Sequence, residues 1–401
     1  MIRILQIDNP QDLVKIFREL KVDPYGIKIM APKSAHYLIK IQEVSSIAAN
    51  ILKQEMLSAG GDAAVARDIL TKPVRKTGCL LIGNQSQITR LMEKLSAQPF
   101  GLRLIAKELK LLLSNCHKDN FTLQLKDTRL RLHKRTAVMG ILNLTPDSFS
   151  NDGLYKFIVT SRLNEVLSFA ERLKEEGADI LDIGGESSRP GAQALSLNEE
   201  LKRTIPVIKL LAKKIKIPIS IDTYKPEVAR QALDNGAAMV NDISGLRSPG
   251  MAKVVARHKA AVVLMHMQGK PLTMQHKPSY QSVMDEITAY LNNAVLRATE
   301  AGIAENKIVI DPGIGFGKNY LHNLEILKHL KELKAIGKPV LIGPSRKSFI
   351  GKIIGEPEDS RLFGTLASCV VAAQNGAHIV RVHDVKAVSQ ALKTADTIHY
   401  H

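Results

Sequence analysis

From residue 138 onward one pattern recurs eight times: a short apolar run, then in most cases a stretch of helical period. The runs are VMGILN, DILDIGG, IPISID, AAMVNDI, AVVLMHM, KIVIDPG, PVLIGPS and AHIVRVHD. Between them lie amphipathic stretches such as SRLNEVLSFAERLKEEGA, PEVARQALDNGA and LEILKHLKELKAIG. Gly177, Gly236, Gly302, Gly337 and Gly376 stand just ahead of the next run, where a helix cap takes the left-handed conformation that glycine accepts. Eight strand–helix units predict an α/β fold, a (β/α)8 TIM barrel, whose usual size is about 250 residues. An open doubly wound sheet is the runner-up. It is disfavoured because no Gly-x-Gly-x-x-Gly turn follows the first run.

In such a barrel the chemistry sits where the C-terminal strand ends meet the βα-loops. All eight run ends are polar. They carry Asn143, Asp182 with Gly184-Gly185-Glu186, Asp222, Asn241-Asp242, His266, Asp311, Ser345-Arg346-Lys347, and Arg381 with His383 and Asp384. Polar groups that served folding alone would scatter over both rims, so one site on one face is expected. Arg381 and His383 are two apart and face the same side of a strand. Ser188 and Arg189 follow a Gly-Gly turn whose backbone can approach an anion closely. Asp222, Asn241 and Asp311 supply two acceptors and an amide that both donates and accepts. The plainer reading of the two acids is that they cap turns.

Residues 1–135 have a different texture. Short apolar runs (IRILQI, YGIKIM, CLLIG) alternate with stretches of helical period (HYLIKIQEVSSIAANILKQEML, QSQITRLMEKLSAQ), reading as a small α/β or α+β domain. FTLQLKDTRLRLHKR reads as a hairpin turning near Lys126-Asp127. The expected division is an accessory domain over 1–130 and a catalytic barrel over 131–401. Of the net charge of +17, most lies in residues 1–135, with 23 basic against 12 acidic residues. These charges are interspersed with apolar residues along helices, as in KELKLLLSNCHK, so a solvated face is expected, and no signature of a nucleic-acid partner is present. No apolar run reaches the roughly 18 residues that span a bilayer, and no secretory leader is read at the start. Cys79, Cys116 and Cys369 are far apart and form no metal spacing. A soluble cytoplasmic protein without a membrane partner is expected.

The segments MGILNLTPDSFS, GGESSRPGA, IDTYKPEVA, VNDISG, IDPGIGFGK, SRKSFIG and RVHDV resemble, in this order, the signature segments of the dihydropteroate synthase family. The resemblance covers about residues 136–395. It implies a (β/α)8 barrel that condenses 6-hydroxymethyl-7,8-dihydropterin pyrophosphate with 4-aminobenzoate, releasing pyrophosphate. It implies that Asp222, Asn241, Asp311 and Lys347 hold the pterin. Asn143, Ser188, Arg381 and His383 would contact the pyrophosphate, with the Asn143 oxygen also binding Mg2+. Ser348 would take the aminobenzoate carboxylate beside Phe316, Pro190 and Arg189. The glycine-spaced DPGIGFGK segment is read as a mobile loop over that substrate, since it lacks the Lys-Ser/Thr of a phosphate loop. Asp147, Asp152 and Lys347 are the expected catalytic set, and a homodimer the expected assembly.

One departure stands out. The family's first loop continues F-S-D-G-G, whereas here Phe149-Ser150-Asn151-Asp152-Gly153 brings the acid one residue late. Either Asp152 reaches in through a shifted loop or Asn151 serves in its place. Two other readings compete: a pterin-dependent methyltransferase domain, which needs neither the Ser345–Ser348 segment nor the Arg381/His383 pair, and a non-catalytic barrel that supports the N-terminal domain.

Overall fold

The computed structural model describes residues 2–5, 7, 10–69, 76–144, 160–186, 195–357 and 360–400. Packing divides the chain into two units, Met1–Ser114 and Asn115–His401.

The first unit runs α1 (Pro10–Glu19), α2 (Pro24–Ser34), β1 (His36–Val44), α3 (Ser46–Ser58), β2 (Asp62–Val65), β3 (Thr77–Asn84), α4 (Gln85–Leu95) and the bulk of α5 (Leu102–Cys116). Its antiparallel sheet has the order β1-β3-β2. Ile39, Val44, Cys79 and Leu81 of the sheet pack with Leu52, Met56, Ile88, Leu91, Leu109 and Leu113 of the helices, which makes an α+β unit. Two sequence readings change here. YGIKIM lies within α2, because Asp23 caps that helix, accepting from the Tyr25 and Gly26 amides, and Pro24 suits its first turn. HYLIKIQEV is strand, not helix. Ile39 and Val44 are buried while Leu38 and Lys40 are exposed, and the helix begins only after Ser45 caps it through the Ala48 amide. On α5, Leu102, Ala106, Leu109 and Leu113 are buried, while Lys107, Glu108 and Lys110 are exposed. The basic residues there form the expected solvated face.

The second unit opens with a hairpin of β4 (Phe121–Leu125) and β5 (Thr128–Leu132), turning at residues 126–127. Eight parallel strands follow: β6 (Ala137–Asn143), β7 (Ile180–Gly184), β8 (Ile219–Asp222), β9 (Met239–Asp242), β10 (Ala261–Met265), β11 (Ile308–Asp311), β12 (Leu341–Ile342) and β13 (Ile379–Val382). Their order is β11-β10-β9-β8-β7-β6-β13-β12. A parallel bridge between Ile310 and Val340 joins the two ends, closing the barrel. The helices are α6 (Thr160–Glu175), α7 (Leu197–Lys214), α8 (Pro226–Asp234), α9 (Met251–Arg257), α10 (Val283–Glu300), α11 (Tyr320–His329), α12 (Ser348–Ile354), α13 (Leu362–Gln374) and α14 (Val385–Tyr400). All five glycines expected at helix ends have positive φ.

Strand residues alternate between two apolar layers. Val138, Leu181, Ile221, Val240, Val262, Ile310 and Val380 pack under the helices. Met139, Ile180, Met239, Val263, Val309, Leu341 and Ile379 fill the barrel interior, where Phe121, Leu123, Leu125 and Leu132 of the hairpin join them. The hairpin therefore belongs with the barrel, and the packing division falls ahead of the texture change near residue 130. With one end of the interior filled by apolar side chains, polar groups collect at the other.

Candidate active site

Strand register sets the site. Asn143 on β6 pairs with Gly184 on β7, Gly184 with Asp222 on β8, and Asp222 with Asn241 on β9. These four residues form one row across the C-terminal ends of neighbouring strands. Gly184 is needed for its missing side chain: a Cβ there would lie 3.1 Å from Asn143 Oδ1 and 3.8 Å from Asp222 Oδ2. Both oxygens thus border the space that a side chain at position 184 would take. Asp311, at the end of β11, is buried, and its Oδ1 accepts from the Gly313 amide at 2.7 Å. Burial holds its carboxyl up at about 6, against the opposing Gly313 hydrogen bond and the charges of Lys318, Lys347 and Arg381. Burial also raises Asp222, an effect opposed by Arg381 and reinforced by Asp182 and Glu200.

Arg381 of β13 ties the floor together. Its Nε donates to Asp182 Oδ2 at 2.5 Å and its Nη2 to Asp222 Oδ2 at 2.8 Å. Asp182 also accepts from Asn241 Nδ2 at 2.9 Å. Next along the chain from this strand, the His383 amide donates to Ser345 Oγ, which lies 3.0 Å from His383 Nδ1. In the tautomer where the Ser345 hydroxyl donates to Nδ1, the ring carries its one proton on Nε2 as a donor. Burial, with Arg381, Arg346 and Lys347 nearby, drives His383 down to about 3, so the ring is a neutral donor and not a cation at neutral pH.

The segment leading into α12 is held in a strained turn. Arg346 has a φ of 58°, a region costly for a non-glycine residue. It makes a bidentate pair with Asp384, at 3.1 and 2.7 Å, and its backbone amide donates to Thr365 Oγ1. This turn places Lys347 with its Nζ 4.4 Å from the centre of the Phe316 ring, and leaves Ser348 exposed at the first turn of α12.

The DPGIGFGK segment is not the loose loop expected from its glycines. Lys318 is buried and donates to His266 Nδ1 (2.9 Å), the Phe316 carbonyl (2.9 Å) and the His266 carbonyl (3.3 Å). The Gly315 amide donates to Asn323, Gln275 donates to the Gly315 carbonyl, and Tyr280 donates to that of Gly317. Phe316 is packed with Ile243, Met265, Met267 and Met274. Three positive-φ glycines bring the backbone close to β10: a Cβ on Gly313 would sit 2.1 Å from the His266 carbonyl oxygen. The glycines serve close approach, so little is left for a ligand to organise.

A second polar network lies behind β7 and β8. Lys225 bridges Glu186 and Glu200, Tyr224 donates to Glu186 at 2.9 Å, and Thr223 to Glu200 at 2.7 Å. It fastens Thr223, directly after Asp222, to the end of β7 and to α7.

A family model described as "pterin binding enzyme" matches residues 139–383. Dihydropteroate synthase of Synechocystis is 49% identical over 267 residues, 66% of this chain and 91% of that protein. This chain belongs to the dihydropteroate synthase family. A probable bifunctional folylpolyglutamate synthase/dihydropteroate synthase of Halobacterium salinarum is 37% identical over 393 residues, 97% of this chain and 46% of that protein. The N-terminal unit, unlike any segment recognised from sequence, therefore has a counterpart in that relative. The crystal structure of Yersinia pestis dihydropteroate synthase with a sulfonamide drug complex matches with a TM-score of 0.66 at 42% identity, covering 70% of this chain and all of that one.

Of the residues that the dihydropteroate synthase resemblance singles out, the structure brings Asn143, Asp222, Asn241, Asp311, Lys347, Arg381, His383, Phe316 and Ser348 to the same end of the barrel. Asp147, Asn151, Asp152, Ser188, Arg189 and Pro190 lie outside the described residues. Sequence reasoning gave no task to Asp182, Ser345 or Lys318. Asp182 sits in an otherwise apolar run and only register aims it at Arg381. Nothing in the sequence around Lys318 marks it as buried.

Proposed function

We propose that the C-terminal rim of this barrel performs the dihydropteroate synthase reaction, with the pterin held by Asp222, Asn241, Asp311 and Lys347. The row of Asn143, Gly184, Asp222 and Asn241, flanked by Asp311, is the observation that carries this reading. It offers buried acceptors and an amide to a ring edge rich in both donors and acceptors. Such an edge binds only where each group is matched, since an unmatched buried group costs about 1–3 kcal/mol.

In the reaction the C–O bond from the pterin methylene to pyrophosphate breaks, and a C–N bond to the arylamine forms with loss of an amine proton. Positive charge develops on the methylene and spreads into the ring. Asp222 and Asp311, fixed at the strand ends, are the carboxyl groups that would face that charge. Asn143 and the neutral His383 face the leaving group as an oxygen ligand and a donor, and Arg381 retains a guanidinium nitrogen beyond its two acid contacts. Ser188 would complete the pyrophosphate contacts. Ser348, Phe316, Pro190 and Arg189 would receive 4-aminobenzoate, and sulfonamides would compete there. Asp147 and Asp152 of the first loop, with Lys347, complete the catalytic assignment.

The donor set fits Mg2+. Among the described residues no cluster of three His, Cys, Asp or Glu could cage a metal, and Mg2+ typically takes few protein oxygens with phosphate and water making up the rest. Asn143 Oδ1 is a neutral ligand that does not repel pyrophosphate. When bound, the ion would offset charge on the leaving group.

Every assigned residue follows position 138, so the N-terminal unit is accessory in this reading. Among the described residues no helix is long and apolar enough to cross a membrane. The three cysteines are free thiols, Cys79 and Cys369 buried, as a reducing compartment leaves them. A cytoplasmic homodimer is the setting carried over from the family. Incubation with the pterin pyrophosphate, 4-aminobenzoate and Mg2+ tests the reading. Dihydropteroate is the expected product, and its absence with folded protein would refute the proposal.

A further inference from the structure

Asp182 is fully buried on β7, inside the barrel and in register with Ser220 of β8. Its Oδ2 accepts from Asn241 Nδ2 at 2.9 Å and from Arg381 Nε at 2.5 Å. A carboxylate only accepts, so Asn241 must turn its amide nitrogen toward Asp182. An asparagine has no orientation of its own to prefer, and its partners choose between the two flips. Here the choice leaves Asn241 Oδ1 facing away from Asp182, with no donor to it among the described residues. The same acid takes the Nε side of Arg381 while Asp222 Oδ2 takes Nη2 at 2.8 Å. The guanidinium plane is fixed between two strands, and Asp222 keeps its Oδ1 for a ligand.

Packing does not account for Asp182. Its Oδ1 is buried without a hydrogen-bond partner, as is the Oγ of its register neighbour Ser220. An unmet buried acceptor opposes folding, so what holds an acid here is its bonds to Arg381 and Asn241 and not the apolar packing around it.

We propose that Asp182 is a positioning residue that sets the donor–acceptor pattern of the pterin pocket. It presents Asn241 Oδ1 as an acceptor and leaves one oxygen of Asp222 available, so that the floor selects a heterocycle edge offering N–H groups over an isostere offering lone pairs. This rests on the pterin-site reading above.

Three proteins test it by calorimetric titration with a 6-hydroxymethylpterin: the native chain, Asp182→Asn, and the reciprocal swap Asp182→Asn/Asn241→Asp. The swap exchanges donor and acceptor across the same contact and again leaves a carboxylate oxygen toward the ligand, while the oxygen that Arg381 Nε shares is lost from position 182, so recovery is partial. Asp182→Asn should weaken pterin binding at least tenfold, because the new amide can donate and lets Asn241 flip. The swap should recover at least a third of that loss on a logarithmic scale, and the KM for 4-aminobenzoate should stay within twofold in all three. Failure of the native chain to bind pterin would refute the site reading itself. Native binding with Asp182→Asn within twofold of it, or a loss that the swap does not recover, overturns this inference alone. If Asp182→Asn does not fold, the swap decides: pterin affinity within tenfold of native upholds the proposal, and a folded swap that does not bind overturns it. If neither variant folds, the side-chain amide of Asn241 in the native protein decides by NMR. One proton protected from exchange upholds the contact, and both exchanging at the solvent rate overturn it.

Discussion

Arg381 and Asp222 meet across the barrel mouth, Nη2 to Oδ2 at 2.8 Å, although 159 residues separate them. The guanidinium is the shared counter-charge of two buried acids. Removing one partner of a buried ion pair costs about 3–5 kcal/mol, because the other charge is left uncompensated. Arg381→Met should therefore lower both thermal stability and kcat/KM. Arg381→Lys should restore stability in part but not kcat/KM, since an ammonium lacks the planar fork that reaches both acids. Melting curves and steady-state kinetics on the two variants check this, and full catalytic rescue by lysine would argue against the bidentate role.

The carboxyl of Asp311, held at about 6, gives the site a pH dependence of definite sign. Its folded value lies above the ordinary carboxylate value of about 3.9. The folded state thus favours the protonated form, and the group costs stability that is fully felt above about pH 6 and vanishes below about pH 4. Ligand binding runs the other way, because a protonated acid no longer accepts from a pterin N–H at both oxygens. Pterin affinity should be near its plateau at pH 8 and fall as pH drops through 6. Asp222 is raised by burial too, so titrations at pH 5, 6, 7 and 8 compare the native chain with Asp311→Asn, and an unchanged profile would remove Asp311 from the pterin contacts.

Asn143 stands at the pyrophosphate end of the row. Activity should require Mg2+ and be lost with a chelator. Asn143→Ala should weaken binding of the pyrophosphate ester while leaving free pterin nearly unchanged. Equal loss of both ligands would contradict the assignment.

Lys318 satisfies three acceptors from one buried ammonium, and burial brings it down to about 7. Lys318→Met would strand the carbonyls of Phe316 and His266. The KM for 4-aminobenzoate should rise about tenfold or more, since an unmet buried acceptor costs about 1–3 kcal/mol, while pterin affinity should change less, through the lost charge beside Asp311. A preset Phe316 also limits how far sulfonamide binding can depend on prior pterin binding through this loop. Kinetics with each substrate varied in turn separate these effects, and a change confined to the pterin KM would count against the clamp.

The hairpin decides where the barrel can be cut. A truncation beginning at Asn115 keeps β4 and β5 and should fold and turn over substrate. One beginning at Arg131 removes Phe121, Leu123 and Leu125 from the interior cluster, each worth about 1.5–3 kcal/mol of burial, and should melt lower or aggregate. Calorimetry on both truncations measures the difference. A folded but inactive Asn115 truncation would show that the N-terminal unit takes part in catalysis.

The eight-fold alternation, the polar strand ends and the glycines at helix termini are local patterns, so the sequence alone determined the barrel and the end that carries the chemistry. The hairpin turn at residues 126–127 was legible for the same reason. Asn143, Asp222, Asn241 and Asp311 could be named because each ends a run. What the sequence left open depends on contacts between distant strands. Whether Arg381 faces phosphate or acids, and which way the Asn241 amide points, follow from Asp182, and strand register alone delivers Asp182 to them. Lys318 is buried only by the closed barrel, against His266. The β1 run reads as helix until its partner β3 supplies hydrogen bonds across the sheet. In each case the deciding partner lies tens to hundreds of residues away, beyond the reach of any local period.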